Sequence, residues 1–260
     1  MNQIICTDYE QLSETVAAKI ADWINKNPGS LLCLAAGDTP LSAYAKLVKL
    51  QDMGAVDLSS VYYVGLDEWV GLGMNDKGSC KQVMFDNFYG PANIPEAHIR
   101  VFDGLVNPED ACKNVSEWID RHGGIGLTLL GVGLNGHVGF NEPGAQSLTE
   151  KGCSPVPLDN TTLKVSNKYF DRQQAVSQGI TVCLPTLKAA KKMILMLSGN
   201  KKKAILERML NEPPSMALPA SLLLDHPDLD LICDFVPGTA LFTCPGNPDK
   251  NGEFHSSMSD

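Results

Sequence analysis

Residues 127–144, LTLLGVGLNGHVGFNEPG, join an apolar run to a loop rich in glycine. The apolar run at 127–130 predicts a buried strand. The loop at 131–144 contains five glycines, one histidine and one glutamate. Glycine is favoured where the backbone takes a positive φ or approaches another group closely, and open α/β sheets bind ligands at the carboxyl ends of their strands. The stretch therefore predicts either a structural turn with a surface histidine or a ligand-binding loop.

Apolar runs alternate with helical patterns on both sides of this stretch. Strands are predicted at 31–36, 61–66, 99–102, 125–130, 180–184, 192–197 and 230–235. Helices are predicted at 8–26, 40–50, 78–90, 108–121, 185–191 and 198–210, with a short one from 219; the caps expected are Thr7 or Asp8, Thr39 and Asn107. This alternation is typical of an α/β fold with a doubly wound, mostly parallel, Rossmann-like sheet flanked by helices. We expect one domain over 1–244 and a loose, polar tail at 245–260.

The composition indicates which class of protein this chain belongs to. The chain has 260 residues, of which 43% are hydrophobic and 20% charged, as in globular proteins that are soluble. No apolar run approaches the roughly 20 residues that cross a membrane, and residues 1–20 lack the pattern of a signal peptide. We therefore expect a cytoplasmic protein that contacts no membrane. The eight cysteines form no C-x-x-C pair, which favours reduced thiols over disulfides or a zinc site.

The net charge and the spacing of the histidines indicate which classes of ligand the protein can bind. A net charge of −9 argues against a nucleic-acid partner, which needs a basic surface. It still permits a small anion held by a few local lysines. The five histidines show no metal-ligand spacing, so no metal is expected.

Two turns between a strand and a helix have the composition of anion sites. Gly37-Asp38-Thr39-Pro40 follows the strand at 31–36, and Ser198-Gly199-Asn200-Lys201 follows the strand at 192–197. Free N–H groups and the positive end of a helix dipole favour an anion at such a turn. The alternatives are a simple helix cap at the first turn and a basic surface helix at the second.

Asp67 and Glu68 follow the strand at 61–66. Carboxylates at a strand end serve where a proton must be moved, although adjacent carboxylates are more often solvated. Their side chains point to opposite faces of a strand, so at most one should face a given site.

The segment 144–179 is rich in Pro, Ser, Thr and Asn, and we expect irregular structure with a helix near 167–177. Beside a site, such a segment is either a lid or a surface excursion.

Four motifs together resemble the glucosamine-6-phosphate deaminase family, also called glucosamine-6-phosphate isomerases, whose superfamily includes 6-phosphogluconolactonase. They are residues 37–40, 66–72, 133–143 and 197–201, within a resemblance that covers about 30–236. The third is the most specific, because lactonases usually lack its Phe-Asn-Glu-Pro. The Asp-Glu-Trp at 67–69 and Pro-Ala-Ser at 219–221 also resemble the galactosamine-6-phosphate branch, so the epimer stays open.

The resemblance implies an amino-sugar-6-phosphate deaminase that needs no cofactor. Asp67 matches the base that moves a proton between C2 and C1, and His137, oriented by Glu142, matches the residue that assists opening of the sugar ring. Asn135 stands where some members have the aspartate of a ring-opening triad, which should leave more of the orientation of His137 to Glu142.

The substrate-binding residues also follow from the resemblance. They are Gly37, Asp38, Thr39, Gly136, Lys168 and Lys201. Asp38 stands where glycine is common, and an acid beside a phosphate is repulsive. Lys168 replaces a frequent arginine and loses bidentate geometry. The expected partner is a small anionic sugar phosphate, and a homo-oligomer is left open.

Two alternatives to the deaminase are a 6-phosphogluconolactonase, which is a hydrolase, and a non-catalytic sugar-phosphate-binding regulator. The only basic residues between 143 and 167 are Lys151 and Lys164. Family members that N-acetylglucosamine 6-phosphate activates use a basic cluster there, so we expect weak or absent activation.

Overall fold

The computed structural model describes residues 1–166, 169–170 and 176–237. Its strands are β1 Asn2–Ile5, β2 Leu31–Leu34, β3 Tyr62–Gly65, β4 Asp67–Trp69, β5 Ile99–Arg100, β6 Leu127–Gly131, β7 Cys153–Pro157, β8 Gln178–Val182, β9 Lys192–Leu197 and β10 Leu229–Cys233. Its α-helices are α1 Tyr9–Lys26, α2 Leu41–Asp52, α3 Cys80–Met84, α4 Pro108–Arg121, α5 Asn160–Ser166, α6 Leu184–Lys188 and α7 Lys203–Asn211. A π-helical turn, Phe85–Tyr89, continues α3, and short 3-10 helices lie at Leu58–Ser60, Glu96–His98, Gln146–Leu148, Asn200–Lys202 and Pro219–Leu223.

Seven strands form a central sheet in the order β1-β10-β9-β6-β2-β3-β5. Every pairing in it is parallel. The chain builds outward from β2 through β3 to β5, and then returns to build from β6 through β9 to β10. The direction of winding therefore reverses between β2 and β6, which is where a doubly wound sheet opens a ligand crevice. The predicted fold class is confirmed.

Both faces of the sheet are covered. Leu31 and Cys33 point to one face, where they share a core with residues of α4. Leu32 and Leu34 point to the other face and pack with residues of α1 and α2. Because successive side chains of a strand alternate between faces, a strand that is apolar at every position is buried on both sides. The continuous apolar runs of the sequence are explained in this way.

Helix caps were predicted with mixed success. Asp8 caps α1 by accepting from the Gln11 amide, and Asn107 caps α4 before Pro108. The predicted cap at Thr39 is wrong: the residue before α2 is Pro40, and no side chain caps that helix. The Thr39 carbonyl instead accepts a hydrogen bond of 2.9 Å from the Tyr9 hydroxyl.

A second, antiparallel sheet in the order β4-β8-β7 corrects three expectations. Residues 67–69 form a strand of their own, and the strand predicted at 180–184 is β8, which lies outside the parallel sheet. The segment 144–179 is not irregular, since it holds β7 and α5. Most of the helix expected at 167–177 lies outside the described residues, as does the tail at 245–260. Backbone pairing over long sequence separations builds this sheet, so no local pattern announces it.

The first strand was also missed. β1 pairs in parallel with β10 at the edge of the central sheet, but its four residues include two polar side chains and are partly exposed.

Within the described part of the chain, no helix is long and apolar enough to span a membrane.

Candidate active site

The carboxyl ends of the central strands bring the predicted motifs to one edge of the sheet. Leu34 of β2 is in register with Leu129 of β6 and with Gly65 of β3. Gly131 of β6 is in register with Met196 of β9. The segments that follow these strands begin at residues 35, 66, 132 and 198, and they therefore emerge side by side, around the point where the winding reverses.

The loop after β6 is folded tightly around His137. The Gly133 amide donates to the His137 carbonyl at 2.8 Å, and the Gly136 amide donates to the Gly133 carbonyl at 3.1 Å. A Cβ atom on Gly133 would lie 2.4 Å from Nε2 of His137, so only glycine leaves room for the imidazole. Gly136 has a φ of +85°, in the left-handed region that favours glycine. The glycines of this loop therefore shape the surroundings of one histidine.

His137 is paired with Glu142. The Nδ1 atom of His137 lies 3.4 Å from Oε2 of Glu142, and the two side chains are 21% and 4% exposed. The Thr162 hydroxyl lies 3.1 Å from the same Nδ1 atom. Burial raises the pKa of Glu142, but hydrogen bonds from His137, Thr162 and Asn135 outweigh it and leave the pKa below its usual value. Glu142 is thus held as a carboxylate, which suits it to orient an imidazole that exchanges a proton through Nε2.

Asn135 links three neighbours. Its side-chain amide donates to Oε2 of Glu142 at 3.0 Å and to Oδ1 of Asp159 at 3.4 Å. Its Oδ1 atom accepts from the backbone amide of His137 at 3.1 Å. The residue therefore lies next to the pair, although it cannot carry the negative charge of an aspartate.

Asp67, the first residue of β4, lies beside the same loop. One of its carboxylate oxygens is 3.3 Å from where a Cβ atom on Gly139 would stand, two residues after His137. Burial and the nearby charge of Glu68 raise the pKa of Asp67 to about 7, against a hydrogen bond from the Cys80 thiol that lowers it. An aspartate with a pKa near neutrality can both accept a proton and return it.

Glu68 has a different environment, as its place on the opposite face of the strand predicts. Its buried carboxylate accepts hydrogen bonds from the Ser79 hydroxyl and from the backbone amides of Cys80 and Lys81, at 2.7–2.9 Å. These donors form the start of α3. Glu68 therefore fastens α3 to β4, which separates the roles of the two adjacent acids.

The first candidate phosphate turn borders an open depression of about 320 Å³, which is lined by Tyr9, Asp38, Thr39 and Ser198. Gly37 and Asp38 are exposed there. This depression joins the first turn to Ser198, the first residue of the second turn. The sheet edge therefore brings the two turns together, as the sequence predicts.

The second turn already holds a carboxylate. The Ser198 hydroxyl and the Gly199 amide donate to Asp234 at 2.5 and 2.7 Å. Lys201 is exposed, whereas Lys202 is half-buried and donates to the Val132 carbonyl at 2.5 Å. Lys168 lies outside the described residues.

Four neighbours of the site escaped the sequence reasoning. They are Cys80 beside Asp67, Asp159 and Thr162 beside the His137–Glu142 pair, and Asp234, which accepts hydrogen bonds from the second turn. Asp159 and Thr162 belong to a segment without a recognisable pattern. The only signal for them is the expectation that the segment 144–179 covers the site, which would place its acid and hydroxyl side chains near His137.

The chain matches a family model over residues 8–232; the model is described as glucosamine-6-phosphate isomerases/6-phosphogluconolactonase. It is 38% identical to a glucosamine-6-phosphate deaminase of Lachnoclostridium phytofermentans over 237 residues, which cover 90% of this chain and 100% of that protein. A glucosamine-6-phosphate deaminase of Thermoanaerobacter pseudethanolicus is 33% identical over 236 residues, 90% of this chain and 92% of the relative.

Solved structures show the same likeness. A monomeric glucosamine-6-phosphate deaminase has a TM-score of 0.85 at 30% identity, covering 90% of this chain and 97% of that chain. A 6-phosphogluconolactonase from Thermotoga maritima has a TM-score of 0.73 at 17% identity, covering 90% of this chain and 98% of that one. The second likeness concerns the fold alone.

Proposed function

Because the chain belongs to the family of glucosamine-6-phosphate isomerases and 6-phosphogluconolactonases, we propose that it is an amino-sugar-6-phosphate deaminase. It converts glucosamine 6-phosphate and water to fructose 6-phosphate and ammonia. The observation that carries this proposal is that Asp67 lies against Gly139, in the same loop that holds the His137–Glu142 pair. A base of pKa about 7 and an oriented imidazole are what proton transfer at carbon and at a ring oxygen require.

The first step is ring opening. The bond between C1 and the ring oxygen breaks, the ring oxygen gains a proton, and the anomeric hydroxyl loses one. His137 moves these protons, and Glu142 holds its imidazole in position and stabilises the charged form. The step leaves the substrate as an open-chain aldehyde without net loss or gain of a proton.

The second and third steps are isomerisation and deamination. Asp67 takes the proton from C2 while the aldehyde oxygen at C1 gains a proton, which forms an enolamine. Asp67 then returns its proton to C1 and the nitrogen gives up one proton, which leaves a hydroxymethyl group at C1 and an imine at C2. Water adds to this imine, and the C–N bond breaks to release ammonia and leave the ketone of fructose 6-phosphate. The pKa of about 7 for Asp67 supports this role, because a carboxylate of ordinary acidity would accept a proton from carbon less readily.

The phosphate of the substrate is proposed to bind at the two turns. The backbone of Gly37, Asp38 and Thr39 contributes the first turn, and Lys201 contributes a positive charge at the second. The depression between Thr39 and Ser198 supports this placement. Gly136 and Lys168 complete the proposed substrate contacts.

The proposal also covers the sugar epimer, the extent of the domain, the location, the regulation and the oligomeric state. The relatives' names favour glucosamine over galactosamine 6-phosphate. We further propose one catalytic domain over 1–244 with the segment 144–179 beside the site, a cytoplasmic location, and weak or absent activation by N-acetylglucosamine 6-phosphate. Size-exclusion chromatography with light scattering decides between a monomer and the homo-oligomer that the sequence left open.

The test is ammonia release by the purified protein from glucosamine 6-phosphate, measured against galactosamine 6-phosphate and against hydrolysis of 6-phosphogluconolactone. Asp67→Asn should reduce ammonia release by at least about 100-fold, since positioned acid–base groups contribute at least that much. The matched control is Asp22→Asn, which changes an exposed carboxylate on α1 that pairs with Lys26. Undiminished turnover in Asp67→Asn, or turnover of the lactone alone, would overturn the proposal.

A further inference from the structure

The first turn of α5 lies directly on the His137–Glu142 pair. The backbone amide of Asp159 donates to Oε1 of Glu142 at 3.4 Å, and the Thr162 hydroxyl lies 3.1 Å from Nδ1 of His137. Thr162 is buried. The segment that makes these contacts lies about twenty residues after the loop that carries the pair.

The side chains of Asn135 and Asp159 fasten this turn to the loop. The side-chain amide of Asn135 donates one hydrogen bond to Glu142 at 3.0 Å and another to Asp159 at 3.4 Å. Asp159 is itself fixed, because its carboxylate also accepts from the Thr161 amide at 2.7 Å. Its neighbour Leu158 is buried in the cluster that contains Trp69 and Phe140. The amide therefore bridges two carboxylates that belong to different elements.

We propose that Asp159 is a positioning residue for ring opening: its contact with Asn135 is a clasp that holds Thr162 and Glu142 on Nδ1 of His137. This inference rests on the proposed function. The amide is suited to the clasp because it donates to both carboxylates at once. An aspartate at 135 would instead place a third negative charge next to Glu142 and Asp159, and like charges at such distances repel.

The clasp also explains the choice of His137 nitrogen. With Nδ1 facing Glu142 and Thr162, Nε2 is left for the substrate. Loss of the clasp would let the first turn of α5 move away, so that Thr162 no longer restrains the imidazole. Catalysis should then fall while the affinity for the substrate phosphate, which the clasp does not touch, stays the same.

The test compares Asn135→Asp, Asp159→Ala, Asp159→Asn and the double variant N135D/D159N with wild type. The matched control is Asn160→Asp, which adds the same charge at an exposed neighbouring position. Asn135→Asp and Asp159→Ala should each lower kcat about tenfold, as expected for loss of one hydrogen bond to a charged group. KM should stay within about twofold of wild type, since only the turnover step depends on the clasp.

Rescue separates positioning from a merely structural role. Asp159→Asn should keep most of the activity, because its amide oxygen still accepts from Asn135. The double variant should recover at least about threefold over Asn135→Asp, because the new amide at 159 donates back to the new carboxylate at 135. Additive losses in the double variant, or losses that appear in KM alone, would overturn the inference.

A second measurement keeps this test independent of turnover. Hydrogen exchange of the amides at 159–163 should be faster in Asn135→Asp than in wild type and in Asn160→Asp. If wild type released no ammonia, the proposed function would fail, and the exchange rates alone would decide on the clasp. Equal exchange in all three proteins would refute it.

Discussion

Replacing Asp67 by asparagine should stabilise the folded protein at neutral and alkaline pH. The substitution keeps the size and shape of the side chain and removes its charge. Burial and the charge of Glu68 raise the pKa of Asp67 from 3.8 to about 7, which means that the fold disfavours the ionised carboxylate. Asparagine does not ionise and therefore avoids that cost.

The sign follows from the two pKa values of Asp67. In the unfolded chain its carboxyl releases its proton near pH 4, whereas in the folded protein it keeps the proton to about pH 7. Between these values the unfolded state binds fewer protons, so the free energy of unfolding of the wild type falls as the pH rises. Above pH 7 the difference is constant. The variant should therefore gain on the wild type from about pH 4 to about pH 7 and then keep its advantage.

The magnitude follows from the same values. One pKa unit corresponds to 1.36 kcal/mol, so a pKa that rises from 3.8 to about 7 corresponds to about 4 kcal/mol at most. Asp67 is half-buried rather than enclosed, and solvent screening reduces the effect. We expect the variant to be more stable by about 2 kcal/mol at pH 8 and by clearly less at pH 5.

Urea unfolding monitored by circular dichroism at pH 5, 6, 7 and 8 measures this difference. Groups that titrate in both proteins cancel when the two curves are subtracted. The control Asp22→Asn alters an exposed ion pair with Lys26 and should give a flat difference over the same range. If Asp67→Asn were less stable than wild type at pH 8, or if its difference were also flat, the raised pKa would be refuted and with it the argument for Asp67 as a base.

Two further predictions concern catalysis. The pH profile of kcat/KM for ammonia release should rise with a midpoint near pH 7, because Asp67 must lose its proton before it can accept one from C2; a profile that is flat between pH 5 and 8 would contradict this. Gly133→Ala should lower kcat by at least about 100-fold, because its Cβ atom would stand 2.4 Å from Nε2 of His137 and displace a group that transfers protons. The matched control is Gly131→Ala at the end of β6, where a Cβ atom meets nothing within 4 Å. Equal activity of the two variants would count against the placement of His137.

The parallel sheet was predictable because each of its inner strands carries its own signal. A run such as Leu31–Leu34 is apolar at every position, since both of its faces are buried under helices. Caps such as Asp8 and Asn107 are equally local, because the side chain bonds to a backbone amide within three residues. The loop at 131–144 was recognisable for the same reason: its glycines, His137 and Glu142 stand close together in the sequence.

The second sheet was not predictable in this way. β7 contains two prolines, one cysteine and one serine, and it becomes a strand only because β8 satisfies its backbone groups. β1 depends in the same manner on β10, more than two hundred residues away. A pattern that spans a few residues carries no information about such partners, because the pairing energy arises only when distant segments meet.

The sequence by itself determined the alternating α/β architecture, the edge of the sheet where the motifs meet, and the residue types available for proton transfer. The tertiary structure decided how those residues divide the work. It separates Asp67, beside Gly139, from Glu68, which is bound to the start of α3. It also places Asp159 and Thr162 on the His137–Glu142 pair. The physical reason is that the pKa of a carboxyl group and the direction of a hydrogen bond depend on burial and on neighbours from distant segments, which exist only in the folded chain.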